Sequence, residues 1–323
     1  MLSRFFIITL TTAATVDIIA DNSHKQSPRD SVKNYRGRFA PSPTGPLHTG
    51  SLISALASYL DAKSNDGQWL LRIEDLDPPR EIPGAAAAIL ASLRAHGLQW
   101  DEQPMWQSHR HADYQCIIDR LLKTDNAYYC TCSRSTLRTS GGIYLGHCRD
   151  QHRRPDGESS IRLYVADSHI HMADAIQGSY CQNPAAAFGD FVLRRKDLLY
   201  AYQLAVVADD EAQSITHIVR GSDLLESTPR QIYLQKLLAY KTPHYAHIPI
   251  ITDANGQKFS KQTFAAPLGN NRATDNLLTA LIFLQQPLPP KSIQGSVTNI
   301  LEWAIEHWSL SFVPETLAIT AGK

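Results

Sequence analysis

Side chains able to do chemistry gather in a few short stretches of this 323-residue chain. The first, at residues 38–51, reads RFAPSPTGPLHTGS. Pro41, Pro43, Pro46 and Gly45 forbid regular structure there and impose a stiff, exposed turn. Leu52, Ala55, Leu56, Tyr59 and Leu60 then recur at helical spacing. His48, Gly50 and Ser51 therefore stand where a rigid loop enters an amphipathic helix. Free backbone N–H groups and the positive end of the helix dipole suit that junction to a phosphate. His48 can donate to a phosphate oxygen, and Gly50 allows close approach of a bulky ligand. An ordinary proline-rich loop before a helix would share these features.

Further along, residues 257–262 read Gln257-Lys258-Phe259-Ser260-Lys261-Gln262, after the turn residues Asp253, Asn255 and Gly256. Two lysines flanking a serine can cover a triphosphate and stabilise charge building on a leaving pyrophosphate, although such a string also marks many solvated loops. Residues 72–80, RIEDLDPPR, crowd carboxylates and arginines at the end of an apolar run. Glu74 could meet the ammonium group of a small ligand there, or the charges could pair among themselves. Arg220, at a strand end before Gly221, is placed to grip a carboxylate, or to pair with Asp223 or the acidic residues at 209–211. Cys130, Cys132, Tyr144 and Cys148 could complete a closed, structural zinc shell; unrelated cysteines in a reduced protein would look the same. Arg134, Arg138, Arg149, Arg153 and Arg154 make this the best local candidate for a nucleic-acid backbone contact.

The elements that must position these groups alternate. A strand is predicted at residues 36–40, then the loop and helix above, then a strand at 68–73. A helix over 83–96 closes at Gly97. Ser108 caps another helix, with Tyr114, Ile117, Ile118, Leu121 and Leu122 on its apolar face. Strands follow at 191–195, 218–220 and 247–251, and Thr228 caps a helix running to about Tyr240. Strands and helices in this order predict an α/β, Rossmann-like parallel sheet whose ligands lie beyond the strand carboxyl ends. The length allows two domains, or one with insertions. The 31 basic and 31 acidic residues neither favour nor exclude a nucleic-acid partner. An odd five cysteines argue for a reducing compartment rather than a disulfide framework. Residues 1–20 carry an apolar run that Asp17 interrupts, and residues 21–35 are polar, so 1–35 reads as an appendage or a start codon set too far upstream.

Taken together, PSPTGPLHTGS resembles the HIGH signature of class I aminoacyl-tRNA synthetases, and KFSKQ resembles their KMSKS loop. LRIEDLDPPR and VRGSDL are similar to the glutamate-specific branch. Joint occurrence in this order is far more specific than any part, and it spans residues 37 to 264. HTGS, EDLDPPRE and the C-x-C…Y…C set resemble the truncated members, the glutamyl-Q tRNA(Asp) synthetase family. The stretch after Lys261 is too short for the large helical anticodon-binding domain of glutamyl-tRNA synthetases, so none is expected. Two departures are Ser51, in place of the second His of HIGH, and Phe259, where Met or Leu is usual.

The resemblance implies a fold and a set of roles. The fold is a Rossmann-like catalytic domain at 36–264, with an inserted zinc-containing subdomain at about 115–190 and a mainly helical region at 265–323. Members activate L-glutamate with ATP without tRNA, then transfer it to the cyclopentenediol ring of queuosine at the wobble position of tRNA(Asp). Glutamate would be held by Arg38, Phe39, Ala40, Pro41, Ser42, Glu74, Tyr202 and Arg220. His48, Gly50, Ser51, Lys258, Ser260 and Lys261 would bind ATP, with His48 and Lys261 catalytic. Cys130, Cys132, Tyr144 and Cys148 would bind one structural Zn2+, and Mg2+ would accompany ATP. A cytoplasmic monomer with no membrane partner is expected. Rival readings are a glutamyl- or glutaminyl-tRNA synthetase fragment charging a tRNA 3′ end, a small-molecule adenylyltransferase, and a non-catalytic zinc-stabilised RNA-binding module.

Overall fold

Apolar runs broken by Pro, Gly and charge set the element boundaries. The computed structural model describes residues 35–133, 143–144, 146–150, 155–253 and 268–320. Strand β1 (Arg36–Phe39) leads through the proline-rich loop into α1 (Thr49–Ser64). Within the loop Gly45 takes a φ of 139°, a conformation side chains rarely adopt. Next come β2 (Gln68–Ile73), α2 (Ala85–Ala95), β3 (Met105–Trp106) and α3 (His111–Lys123). The middle of the chain holds β4 (Ala127–Cys130), β5 (Ser160–Leu163), β6 (Ile170–Asp174), β7 (Gly178–Gln182), α4 (Pro184–Phe188) and β8 (Val192–Arg194). Then follow α5 (Tyr202–Ala212), β9 (His217–Gly221), α6 (Thr228–Leu238), β10 (His244–Ile248) and β11 (Ile250–Thr252). Helices α7 (Ala273–Phe283) and α8 (Val297–Glu306) and strand β12 (Ala318–Thr320) complete the described residues. None of the described helices is long and apolar enough to cross a membrane.

The sheet is mixed rather than wholly parallel. Strands β1, β2 and β3 pair in parallel, with Arg38 opposite Leu70 and Ile73 opposite Trp106. A second sheet runs in the order β7-β6-β10-β9; its β6, β10 and β9 are parallel, and β7 is antiparallel. Thr216 links the two, donating its N–H to Arg36 O at 3.0 Å just ahead of β9. A separate antiparallel sheet joins β4, β5 and β8. The strands that carry the predicted site residues Arg38, Glu74 and Arg220 are thus the parallel ones, or end in them.

Helix α1 is buried on nearly every side, not amphipathic as its spacing predicts. Leu52, Leu56 and Leu60 are fully buried in one core with Trp69 and Leu71 from β2 and Leu277, Leu281 and Ile300 from α7 and α8. Its polar residues are accommodated: Ser58 accepts the Trp69 indole N–H at 2.9 Å, and Asp61 accepts from Trp308 at 3.0 Å and from the Tyr35 hydroxyl. Burying those leucines alone contributes on the order of 1.5–3 kcal/mol each, which fixes the axis whose N-terminus faces the site.

Three local readings are corrected. Ser108 does not cap α3, whose N-cap is Arg110; it binds Asp75 through its N–H (2.9 Å) and hydroxyl (2.6 Å). Thr228 is the first residue of α6 rather than its cap, because its hydroxyl donates to Leu224 O at 3.1 Å. The strand predicted at 247–251 breaks at Pro249, which has no N–H to donate. Beyond it β11 leaves β10 and pairs in parallel with β12.

Candidate functional site

The ends of β1, β2 and β9 and the N-terminus of α1 enclose a cavity of ≈ 420 Å³. Arg38, Phe39, Ala40, Pro41, Ser42, His48, Gly50, Ser51, Glu74, Tyr202 and Arg220 all line it. The proline-rich loop is braced by its own carbonyls. Pro41 O accepts from Glu74 N, Pro43 O from Ile82 N and Leu47 O from Leu268 N, each at 3.0 Å. His48 is the N-cap of α1, and its Nδ1 accepts the Ser51 N–H at 3.3 Å. That bond puts the neutral ring's proton on Nε2, a donor beside the helix N-terminus. Elsewhere in the wall a Cβ on Gly221 would lie 2.5 Å from Asp223 Oδ1, so a side chain there would displace the Asp223 carboxylate.

Beneath the cavity lies a buried ionic network. Asp210 accepts from Arg38 Nε (3.1 Å) and Nη2 (3.4 Å) and from Arg72 Nη1 (2.8 Å). Arg72 also reaches Gln213 at 2.9 Å and Glu74 at 3.5 Å. Burial pushes Asp210 up, but Arg38 and Arg72 outweigh it and hold the carboxyl below its usual range. Glu74 is raised, burial outweighing the pull of Arg72 and Arg38. The neighbour of Asp210 in sequence, Asp209, serves a different cluster of Gln107, Arg110 and Tyr114.

Arg220 is gripped by neutral groups. Its Nε donates to His247 Nε2 (3.1 Å), and its Nη2 donates to Thr228 (2.7 Å) and Gln231 (2.8 Å). His247 Nδ1 meets Asp174 Oδ2 at 2.6 Å, which leaves Nε2 as the acceptor Arg220 needs. Burial lowers the His247 pKa despite Asp174, so the ring is neutral. Arg220 Nη1 is buried and has no partner among the described residues. A cation in the cavity wall with one arm unmatched suits an anionic ligand group.

Away from this cavity, Cys130, Cys132 and Cys148 bring their Sγ atoms within 4.8 Å of one another. The Tyr144 hydroxyl lies 3.3 Å from Cys130 Sγ and 3.5 Å from Cys132 Sγ, and Cys132 and Cys148 Sγ are 3.5 Å apart. Around zinc, bond lengths of about 2.3 Å to sulfur and about 2.0 Å to oxygen give tetrahedron edges of roughly 3.5–3.8 Å. The donor set therefore fits, and these residues could hold a metal ion. Arg162 stacks over the Tyr144 ring at 4.0 Å and donates to Cys130 Sγ at 3.4 Å, which places a cation where it would offset the charge of metal-bound sulfur. Gly189 lets Tyr144 pass, since a Cβ there would meet Tyr144 O at 2.2 Å.

Lys258, Ser260 and Lys261 lie outside the described residues, as do Arg134, Arg138, Arg153 and Arg154. Arg149, from the same basic stretch, is committed to Asp190 at 2.8 and 3.0 Å and covers the Tyr164 ring.

A family model described as tRNA synthetases class I (E and Q), catalytic domain, matches residues 34–282. The chain is 50% identical over 287 residues to a glutamyl-Q tRNA(Asp) synthetase of Pseudomonas fluorescens, covering 88% of this chain and 96% of that one. It is also 50% identical over 296 residues to one of Neisseria gonorrhoeae, covering 89% and 99%. The chain belongs to the glutamyl-Q tRNA(Asp) synthetase family. Like that family it is a ligase-type enzyme with a class I catalytic domain. Its fold resembles the crystal structure of a glutamate-tRNA synthetase from Elizabethkingia anophelis, with a TM-score of 0.74, 25% identity and coverage of 90% of this chain and 68% of the other. A glutamate tRNA ligase from Elizabethkingia meningosepticum, solved with its amino acid, gives a TM-score of 0.73 at 27% identity, with coverage of 88% and 66%.

Several supporting residues of this family member escape a reading of the sequence. Asp210, Asp174, His247, Thr228 and Gln231 position the cavity arginines without carrying a motif. Arg38, Arg72 and Arg220 on short, largely buried strands are a weak signal for them. A buried cation needs a partner, but its identity depends on which strands pair.

Proposed function

We propose that this enzyme activates L-glutamate with ATP, without tRNA, and transfers the glutamyl group to the cyclopentenediol ring of queuosine at the wobble position of tRNA(Asp). The observation that carries the reading is the unmatched Nη1 of buried Arg220 in the cavity wall, taken with the family's name. In this reading Arg220 grips the side-chain carboxylate of glutamate. Glu74 takes the ammonium group, and Arg38 and Ser42 hold the amino acid against the walls formed by Phe39, Ala40, Pro41 and Tyr202. The buried charges of Arg38, Arg72, Asp210 and Glu74 balance one another. Arg220 then matches the net negative charge that glutamate brings.

The α-carboxylate attacks the α-phosphorus of ATP in line, and pyrophosphate departs. Positioning and charge neutralisation dominate such a step. His48 Nε2–H and the backbone N–H of Gly50, with the Ser51 side chain beside them in the cavity wall, face the phosphates. Lys258, Ser260 and Lys261 stabilise the leaving pyrophosphate. Mg2+ arrives with ATP as part of the substrate. Cys130, Cys132, Tyr144 and Cys148 would hold one structural zinc within an inserted subdomain at about 115–190. The catalytic unit is residues 36–264, and the enzyme works as a cytoplasmic monomer.

The test has two parts. Pyrophosphate exchange without tRNA should depend on glutamate and on no other amino acid. Labelled glutamate should then pass to tRNA(Asp) containing queuosine and not to tRNA(Asp) lacking it. Exchange with another acid, or equal labelling of both tRNAs, overturns the reading.

A further inference from the structure

A second cavity of ≈ 890 Å³ adjoins the first. Ser42, Thr44, Glu74 and Tyr202 belong to both walls, so a product formed in one is within reach of the other. Cys132 and Ser133, from the metal cluster and its edge, line this second cavity too.

Glu81 stands in its wall, on the turn that follows Arg80. That turn is held against the proline-rich loop at both ends, by Glu74 N on Pro41 O and by Ile82 N on Pro43 O. The other carboxylates of the stretch are engaged. Glu74 meets Arg72 at 3.5 Å, Asp75 accepts two bonds from Ser108, and Asp77 pairs with Arg80 at 2.6 Å. Glu81 differs: its Oε1 is buried and has no hydrogen-bond partner among the described residues. Leaving a buried acceptor unsatisfied costs on the order of 1–3 kcal/mol. A donor carried in by the ligand would remove that cost.

Resting on the glutamylation reading above, we infer that Glu81 is the general base of the transfer step. A ring hydroxyl oxygen bonds to the carbonyl carbon of glutamyl-adenylate. The bond from that carbon to the phosphate oxygen breaks, and AMP leaves with the electron pair. The hydroxyl proton passes to Glu81 Oε1 and from there to water. Burial, then the charges of Asp75 and Asp77, raise the Glu81 pKa, with the Asp77 N–H working the other way. A carboxylate moved toward neutrality is a stronger base for an alcohol than an ordinary one.

The experiment compares the two half-reactions in Glu81→Gln, with thermal unfolding as the check on folding. Transfer from preformed adenylate to queuosine-containing tRNA(Asp) should slow by about 10²–10⁴-fold in a single turnover. Glutamate-dependent pyrophosphate exchange should fall far less, and Glu81→Asp should recover part of the transfer rate. Transfer within about threefold of wild type overturns the inference. So does a weaker tRNA Kd with the saturated transfer rate intact, which would make Glu81 an anchor for the nucleoside. Wild-type enzyme that labels the tRNA 3′ end would defeat the glutamylation reading itself, before any variant is made.

Discussion

Replacing Arg220 by glutamine separates amino-acid recognition from nucleotide binding. Three of the guanidinium's hydrogen bonds, at 2.7–3.1 Å, go to the neutral groups His247, Thr228 and Gln231. None of these can balance a substrate carboxylate once the cation is gone. Leaving one member of a buried charge pair without its partner costs about 3–5 kcal/mol. At tenfold per 1.4 kcal/mol, the KM for glutamate should rise roughly 10²- to 10³-fold or more. The KM for ATP should change by less than about threefold, because the phosphate-facing groups sit on α1, across the cavity. The three lost bonds are worth about 1 kcal/mol each, so thermal unfolding must show that the variant folds. Arg220→Lys keeps the charge without the planar fork and should fall between glutamine and wild type. The assay is pyrophosphate exchange without tRNA, titrating glutamate and ATP in turn. Equal losses for both substrates, or a glutamate KM within about threefold of wild type, would refute the assigned role.

Other perturbations probe different parts of the molecule. Lys261→Ala should slow adenylate formation by about 10²-fold while leaving the glutamate KM within about threefold, read by rapid quench; equal loss in both counts against a role on the leaving group. Cys132→Ser should abolish stoichiometric zinc, measured by mass spectrometry. It should also lower the unfolding temperature by about 4–5 °C, the shift expected for about 3 kcal/mol in a chain of this size. Stability should also depend on pH through His217, which stacks on Tyr35 and His244. Burial, then the neighbouring His244, brings its pKa down to about 4. The unfolded ring titrates near 6.5, so below that pH the unfolded state takes a proton that the folded state refuses. The His217 contribution is therefore complete above about pH 6.5 and lost as pH falls toward 4, amounting to about 1 kcal/mol once solvent screening of a part-exposed ring is allowed for. His217→Phe should flatten that part of the denaturation profile, and an unchanged slope would contradict the assignment.

Much of the site is legible from residue types because its anchors are local. Prolines and Gly45 define the loop, apolar spacing defines α1, and Gly97 ends α2; each acts through its own backbone. Strand β2 needs only the run QWLLRI. Non-local pairing hides the rest. That β11 takes β12 as its partner, across most of the C-terminal region, leaves no mark in either segment. Ser108 has the right type and place for a cap, yet Asp75 is a stronger partner, and only the packed structure brings them together. The same holds for His247, which reads as one residue in an apolar strand. Its meaning comes from Asp174 on the neighbouring strand and from Arg220, opposite it in register on the other side. Helix α1 reads as amphipathic because its second buried face is covered by α7 and α8, far along the chain.

The central claim is that glutamate ends on the wobble nucleoside. The most direct measurement cleaves tRNA(Asp) after reaction with labelled glutamate and asks which fragment carries the label. Label confined to the anticodon fragment, and only when queuosine is present, is the predicted result. Label on the 3′-terminal fragment would contradict it.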